Sequence, residues 1–72
     1  MQQEISERLL AEFPDAEIAV ELDGNRALLS VTSSRFEDMS RVQKQQAVYA
    51  CVADYIASGD LHAVTIKAQT PA

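Results

Sequence analysis

Apolar positions recur along this chain at two different periods, and each switch between them marks a new element. Ile5, Leu9 and Phe13 stand at i, i+4 and i+8, with Leu10 beside them. That spacing predicts an amphipathic helix from about Gln3 to Glu12. Pro14 ends it, because the residue before a proline is pushed toward extended geometry. The stretch AEIAVEL then alternates, with Ile18, Val20 and Leu22 on one side and Glu17, Ala19 and Glu21 on the other. Alternation of this kind is the signature of a half-buried strand. DGN at 23–25 predicts a tight hairpin whose turn residues take positive φ. The return strand spans about Arg26 to Thr32 and turns Ala27, Leu29 and Val31 to the core.

SSRFEDM is a polar connection carrying one aromatic, Phe36. Ser40 and Gln43 have the spacing of a capping box, in which each side chain satisfies a backbone donor of the other. Val42, Val48, Tyr49, Val52, Tyr55 and Ile56 then form a broad apolar helical face, and Gly59 suits a left-handed C-terminal cap. No proline or glycine lies between Ser40 and Ser58, so one long helix and two shorter ones both fit the pattern. The last strand is expected from about Leu61 to Ala68. Its even positions, His62, Val64, Ile66 and Ala68, are assigned to the core face, and Leu61, Ala63, Thr65 and Lys67 to the other.

The resulting order is α–β–β–α(α)–β. A hairpin pairs the first two strands antiparallel. A helical crossover then delivers the third strand parallel to the second if the two are neighbours. The expected fold is therefore α+β, a three-stranded mixed sheet with helices packed on one face and the other face wet. Seventy-two residues make one domain, 1–72, with a small core and little room for a walled pocket.

Charge and cysteine content narrow the function. The net charge is −5, with Glu4, Glu7, Glu12, Asp15, Glu17, Glu21 and Asp23 preceding Asn25 against Arg8 alone. A field of that sign repels phosphate backbones. Cys51 is the single cysteine, so no internal disulfide forms, and a lone thiol suits a reducing compartment. Its neighbours Val48 and Val52 mark it as a small core hydrophobe. No signal-peptide core is visible at the N-terminus, and no apolar run approaches the roughly 20 residues that span a bilayer. The expectation is a cytoplasmic, membrane-free chain. No nucleophile–base spacing and no Gly-rich phosphate loop is present, so an enzyme is not expected.

The one histidine, His62, opens the last strand. On pattern alone it reads as a half-buried imidazole bonded to nearby backbone, since metal sites usually need several ligands and none is visible at helical or strand spacing.

A longer pattern changes that reading. RFEDMSRVQKQQAVYACVADYIASGDLHAVTIKAQTP resembles the BolA-like family, in particular its IbaG-type branch. The telling pieces are Phe36, Met39 to Val42, the Gln-rich helix start through Val48 and Tyr49, and Leu61 to Ala68 with Thr70 and Pro71; they span about half of the chain. The resemblance implies a KH-like fold of the second type. It also implies an adaptor that partners a monothiol glutaredoxin in the assembly or trafficking of iron–sulfur clusters, or in iron sensing. In that family the histidine matching His62 ligates a [2Fe–2S] cluster shared with the glutaredoxin and its bound glutathione, so no cofactor is expected on the isolated chain, which would be a monomer or weak dimer. Relatives of this branch often place a second His or Cys in or near the first hairpin, where LDGNRALL has Arg26 instead.

The family resemblance carries a second reading, a nucleic-acid-binding regulator of the stress response. Arg35, Arg41 and Lys44 would form its contact surface. Against it stand the acidic net charge and the lack of a GXXG loop, since the chain has only Gly24 and Gly59.

Overall fold

The structure, a computed structural model, describes residues 1–71. The first helix, α1, runs Gln2–Glu12 and buries Ile5 and Leu9. It ends at Phe13, whose backbone leaves helical geometry (φ −125°, ψ 77°) before Pro14. Two strands follow, β1 (Glu17–Asp23) and β2 (Arg26–Thr32), antiparallel and in register from Glu17 opposite Thr32 to Asp23 opposite Arg26. The two-residue turn is Gly24–Asn25. Only Gly24 has positive φ, +59°, so the expected pair of positive-φ residues is corrected to one. Glycine at the first central position is the requirement of a type II′ turn, whose twist matches that of the strands.

A 3-10 turn, Ser34–Phe36, carries Phe36 into the core. Helix α2 (Arg41–Ala50) starts on the full capping box of Ser40 and Gln43. Helix α3 (Ala53–Ser58) closes at Gly59 with φ +86°. The two are separate helices. Cys51 and Val52 donate to the carbonyls three residues back, and Val52 leaves the helical region at φ −122°, ψ 9°. The carbonyl of Cys51 accepts from Arg8 Nη1 at 3.2 Å, so an otherwise orphaned helix-end group finds its partner on α1. The bend turns Val48 and Val52 both inward, each fully buried.

Strand β3 (Ala63–Gln69) pairs parallel with β2, from Arg26 opposite Ala63 to Thr32 opposite Gln69. The sheet order is β1–β2–β3. Ile5, Leu9, Phe13, Val20, Ala27, Leu29, Val31, Phe36, Val48, Val52 and Leu61 form one core between the sheet and the helices, with the rings of Phe13 and Phe36 4.9 Å apart and tilted by 51°. The α+β architecture and strand order agree with the pattern of the sequence.

Besides that of His62, four side-chain placements differ from expectation. Leu61, assigned outward, is buried, because it precedes the strand and folds back so that its N–H donates to Tyr55 O at 3.1 Å. Val42 and Tyr49, assigned to the apolar helical face, are 62% and 42% exposed. The bend after Ala50 aims only Val48 and Val52 squarely at the sheet, leaving the flanks of the helical face uncovered. Cys51 is only half-buried.

Candidate functional site

His62 lies between the buried Leu61 and the first residue of β3, and it is exposed. Its assignment to the core face is therefore corrected. The chain switches from the Leu61 anchor to the ladder at this residue, and the strand's alternation begins only at Ala63. The backbone here is well held. The N–H of His62 donates to Asn25 O at 2.8 Å, and that of Ala63 to the same oxygen at 3.4 Å. The turn of the first hairpin thus sits directly against the backbone that carries the imidazole. No side-chain hydrogen bond among the described residues involves the ring. No group of three or more His, Cys, Asp and Glu that could hold a metal occurs among them either. A single exposed imidazole of this kind can complete a coordination sphere supplied by another molecule; by itself it leaves a four-coordinate metal three ligands short.

Cys51 lines a separate cleft with Arg8, Ala11, Glu12, Ala47 and Ala50. Its thiol donates weakly to Ala47 O at 3.7 Å, and burial, then the neighbouring charge of Glu12, pushes its pKa up. A thiol kept protonated is a poor ligand and a poor nucleophile.

The three cations grouped from the sequence divide. Arg35 reaches back to α1, donating from Nη1 to Glu12 O, and so closes the C-terminal end of that helix. Arg41 and Lys44 instead line a cleft with Gln45, Ile66, Lys67 and Ala68. Lys67 thus replaces Arg35 in the cationic group. Sequence separation hid this, since Lys67 stands more than 20 residues beyond Lys44, and only the crossover from α2 to β3 brings them together. Beside the cleft runs an apolar groove of about 480 Å³, lined by Gln45, Gln46, Tyr49, Ala50, Ala53, Val64 and Ile66. No helix among the described residues is long and apolar enough to cross a membrane.

An exposed histidine thus stands just before the last strand of a small α–β–β–α–α–β fold, braced by the turn of the first hairpin. The sequence model of the BolA-like protein family matches residues 25–72. The chain is 47% identical over 68 residues to an uncharacterised protein of the rpoN–murA intergenic region of Acinetobacter guillouiae, covering 94% of this chain and 82% of that one. It is 42% identical over 69 residues to the acid stress protein IbaG of Escherichia coli K12, covering 96% and 82%. Among solved structures, the BolA domain of SufE1 from Arabidopsis thaliana superposes with a TM-score of 0.87 at 29% identity, covering 97% of this chain and 91% of that one. The chain belongs to the BolA-like family.

Proposed function

We propose that this protein is a non-enzymatic adaptor that partners a monothiol glutaredoxin in the handling of [2Fe–2S] clusters, in assembly, trafficking or iron sensing, and that His62 is its ligand to a cluster shared between the two chains. The observation that carries the reading is the placement of His62: exposed, without a hydrogen bond to its ring among the described residues, and fixed through its backbone to the hairpin turn. Membership of the BolA-like family supports it further. The donor set fits a centre for which the partner supplies the remaining ligands, as a glutaredoxin cysteine and its bound glutathione would. Iron–sulfur iron accepts imidazole in place of thiolate, and such ligation raises the cluster's potential. This chain's part is to offer one neutral nitrogen at a defined point. Asn25 O restrains the backbone at His62, and Leu61 anchors the residue before it in the core.

The test is reconstitution with a monothiol glutaredoxin, iron, sulfide and glutathione, following visible absorption and circular dichroism. The wild-type mixture should give a coloured 1:1 complex with a spectrum distinct from that of the glutaredoxin alone. His62→Ala should retain the fold and abolish the distinct spectrum; an identical spectrum from that variant would reject His62 as ligand. The regulator reading retains Arg41 and Lys44 and gains Lys67 in place of Arg35, but it must still overcome a net charge of −5.

A further inference from the structure

The outer edge of β3 is one of the two edges at which this sheet leaves backbone groups unpaired by a strand; β1 forms the other. Residues of one strand alternate in the side to which they send their N–H and C=O. Ala63 N donates to Asn25 O, and Gln69 O accepts from Ser33 N, so the odd residues face β2. Val64, Ile66 and Ala68 therefore send their backbone groups away from the sheet. One of these groups has a partner that shows the direction directly: Ile66 O accepts from Gln45 Nε2 at 3.0 Å, an exposed bond. The side-chain amide stands where the N–H of an added strand would stand. The opposite edge is guarded differently, by Gln2 Nε2 donating to Val20 O at 2.7 Å in a partly buried bond.

Along the β3 edge the surface changes character. At the Val64 end lies the apolar groove of about 480 Å³, walled by Tyr49, Ala50 and Ala53 on the helices and by Val64 and Ile66 on the strand. At the Ala68 end lies the polar cleft of about 390 Å³ with Arg41, Lys44 and Lys67. The two adjoin at Gln45 and Ile66, which line both, and together they make up the channel along this edge. Half of the chain's six Lys and Arg residues converge on its far end, although the protein as a whole carries −5. An occupant that pairs with the edge, fills the apolar end and complements the basic end is a peptide in extended conformation. Its alternate side chains would be apolar over one half and carboxylates over the other.

We propose that the β3 edge, with the channel over it, is a docking site for an extended acidic–apolar peptide segment of a partner protein, bound by strand addition. Main-chain bonds to Val64, Ile66 and Ala68 supply affinity, and the apolar groove and three cations select the side chains. Gln45 is the gate: its amide leaves Ile66 O when the strand arrives. Nucleic acid is the other polyionic candidate for the cations. It is disfavoured by the apolar half of the channel and by the overall negative field, which a polyanion would meet over its whole length. The site is independent of cluster ligation at His62.

The probe is a pair of capped heptapeptides that alternate threonine with valine over one half and with glutamate over the other, in the two possible orders. They would be titrated into the ¹⁵N-labelled full chain by NMR. One order should shift the amides of Val64, Ile66 and Ala68 and of α2 from Gln45 to Ala50, and should slow hydrogen exchange at Val64 and Ala68. N-methylating the peptide at alternate positions on its pairing edge should abolish these changes. Lys44→Glu with Lys67→Glu should weaken binding at least about tenfold, the loss of roughly 1.4 kcal/mol, while His62→Ala should leave it unaltered. Three results would overturn the proposal: no perturbation at millimolar peptide, equal binding of the methylated peptide, or tighter binding of an oligothymidylate decamer than of either peptide at the same residues. The last would assign the channel to nucleic acid.

Discussion

The carbonyl oxygen of Asn25 accepts the backbone N–H of His62 at 2.8 Å across 37 positions of sequence. This bond joins the turn of the β1–β2 hairpin to the point at which β3 begins, and it makes the hairpin the immediate neighbour of the only imidazole. The hairpin stretch LDGNRALL itself holds no His or Cys.

That adjacency leads to a gain-of-function prediction. Asn25→His keeps the backbone carbonyl that holds His62 and puts a second imidazole on the residue bonded to it. Asn25 does not have positive φ, so the replacement meets no left-handed strain. In the reconstituted glutaredoxin complex it should slow cluster loss to a chelator relative to wild type, and it should shift the visible circular dichroism. His62→Ala/Asn25→His should recover part of the spectrum lost in His62→Ala. A double variant as colourless as the single one would show that position 25 lies outside ligating reach.

Acid should weaken the same complex for a reason internal to coordination chemistry. Only the neutral imidazole has the lone pair that binds iron, so ligation competes with protonation. Thiolate ligands compete with protons as well, so cluster retention in the wild-type complex and in a glutaredoxin homodimer should fall along different acid profiles. Parallel acid titrations read at the same wavelength would check this, and superimposable curves would remove histidine from the coordination sphere.

Asp15 gives a second pH effect, this time on folding. Its carboxylate accepts from the Ser34 hydroxyl at 2.7 Å, the Ser33 hydroxyl at 2.8 Å and the Ser34 N–H at 2.9 Å. These bonds, the Ser34 side chain foremost, hold its pKa at about 2 against an ordinary 3.8. A depressed folded-state pKa means that the contribution is complete above the unfolded value and is lost as pH falls from about 3.8 toward 2. Asp15→Asn should therefore be less stable than wild type at neutral pH, and the gap should narrow across that acid window. Urea melts at pH 7, 4 and 2.5 would measure it; a gap independent of pH would mean that the carboxylate charge has no part in holding the corner between β2 and the 3-10 turn.

Asp15 also shows what the sequence could and could not disclose. The strands, the hairpin, the Ser40 capping box and the Gly59 cap were legible because each depends on neighbours within a few residues: alternation, a positive-φ glycine, a reciprocal pair three apart. The bonds of Asp15 to Ser33 and Ser34, of Arg8 to Cys51 O, and the meeting of Lys67 with Arg41 and Lys44 join residues 18 or more apart. Local periodicity carries no trace of such pairs. For the same reason one long helix could not be told from two, because the group that takes up the freed carbonyl at the break lies on α1. The core-face expectation for His62 fails for a subtler reason. Its even parity matched Val64 and Ile66, but parity holds only within a strand, and Leu61 enters the core before the strand begins.

Arg8 tests the account of the helix break. Its guanidinium bonds Cys51 O at 3.2 Å and Asp54 Oδ1 at 2.6 Å, and lies 4.6 Å from the centre of the Tyr55 ring. Both bonds leave from the one nitrogen Nη1 while the guanidinium plane lies over the Tyr55 ring; a lysine ammonium, with three donors but no such plane, can keep the bonds only in part and loses the planar contact. Arg8→Lys should lower Tm modestly, and Arg8→Ala more. In both, hydrogen exchange should accelerate first at Val52 and Tyr55, while β2 amides keep their protection. Uniform acceleration across the chain would instead mean that Arg8 supports the whole fold and not the junction of α2 and α3.

Phe36 shows how narrow the stability margin is in a chain of this size. It is fully buried, and its ring meets that of Phe13 in the tilted geometry that aromatic pairs favour. Truncation to alanine would remove most of a core side chain from a small sheet-and-helix core, at a cost of about 3–5 kcal/mol. At about 0.05–0.15 kcal/mol per residue, a 72-residue chain has total stability on the order of 4–11 kcal/mol, so Phe36→Ala should forfeit between roughly a quarter and all of it. Phe36→Leu retains much of the volume and forfeits mainly the aromatic contact, so it should remain folded with a smaller loss, roughly 1–2 kcal/mol. Urea denaturation followed by far-ultraviolet circular dichroism would rank the three proteins. If the alanine variant lost less than the leucine variant, the 3-10 turn would have to place Phe36 outside the core.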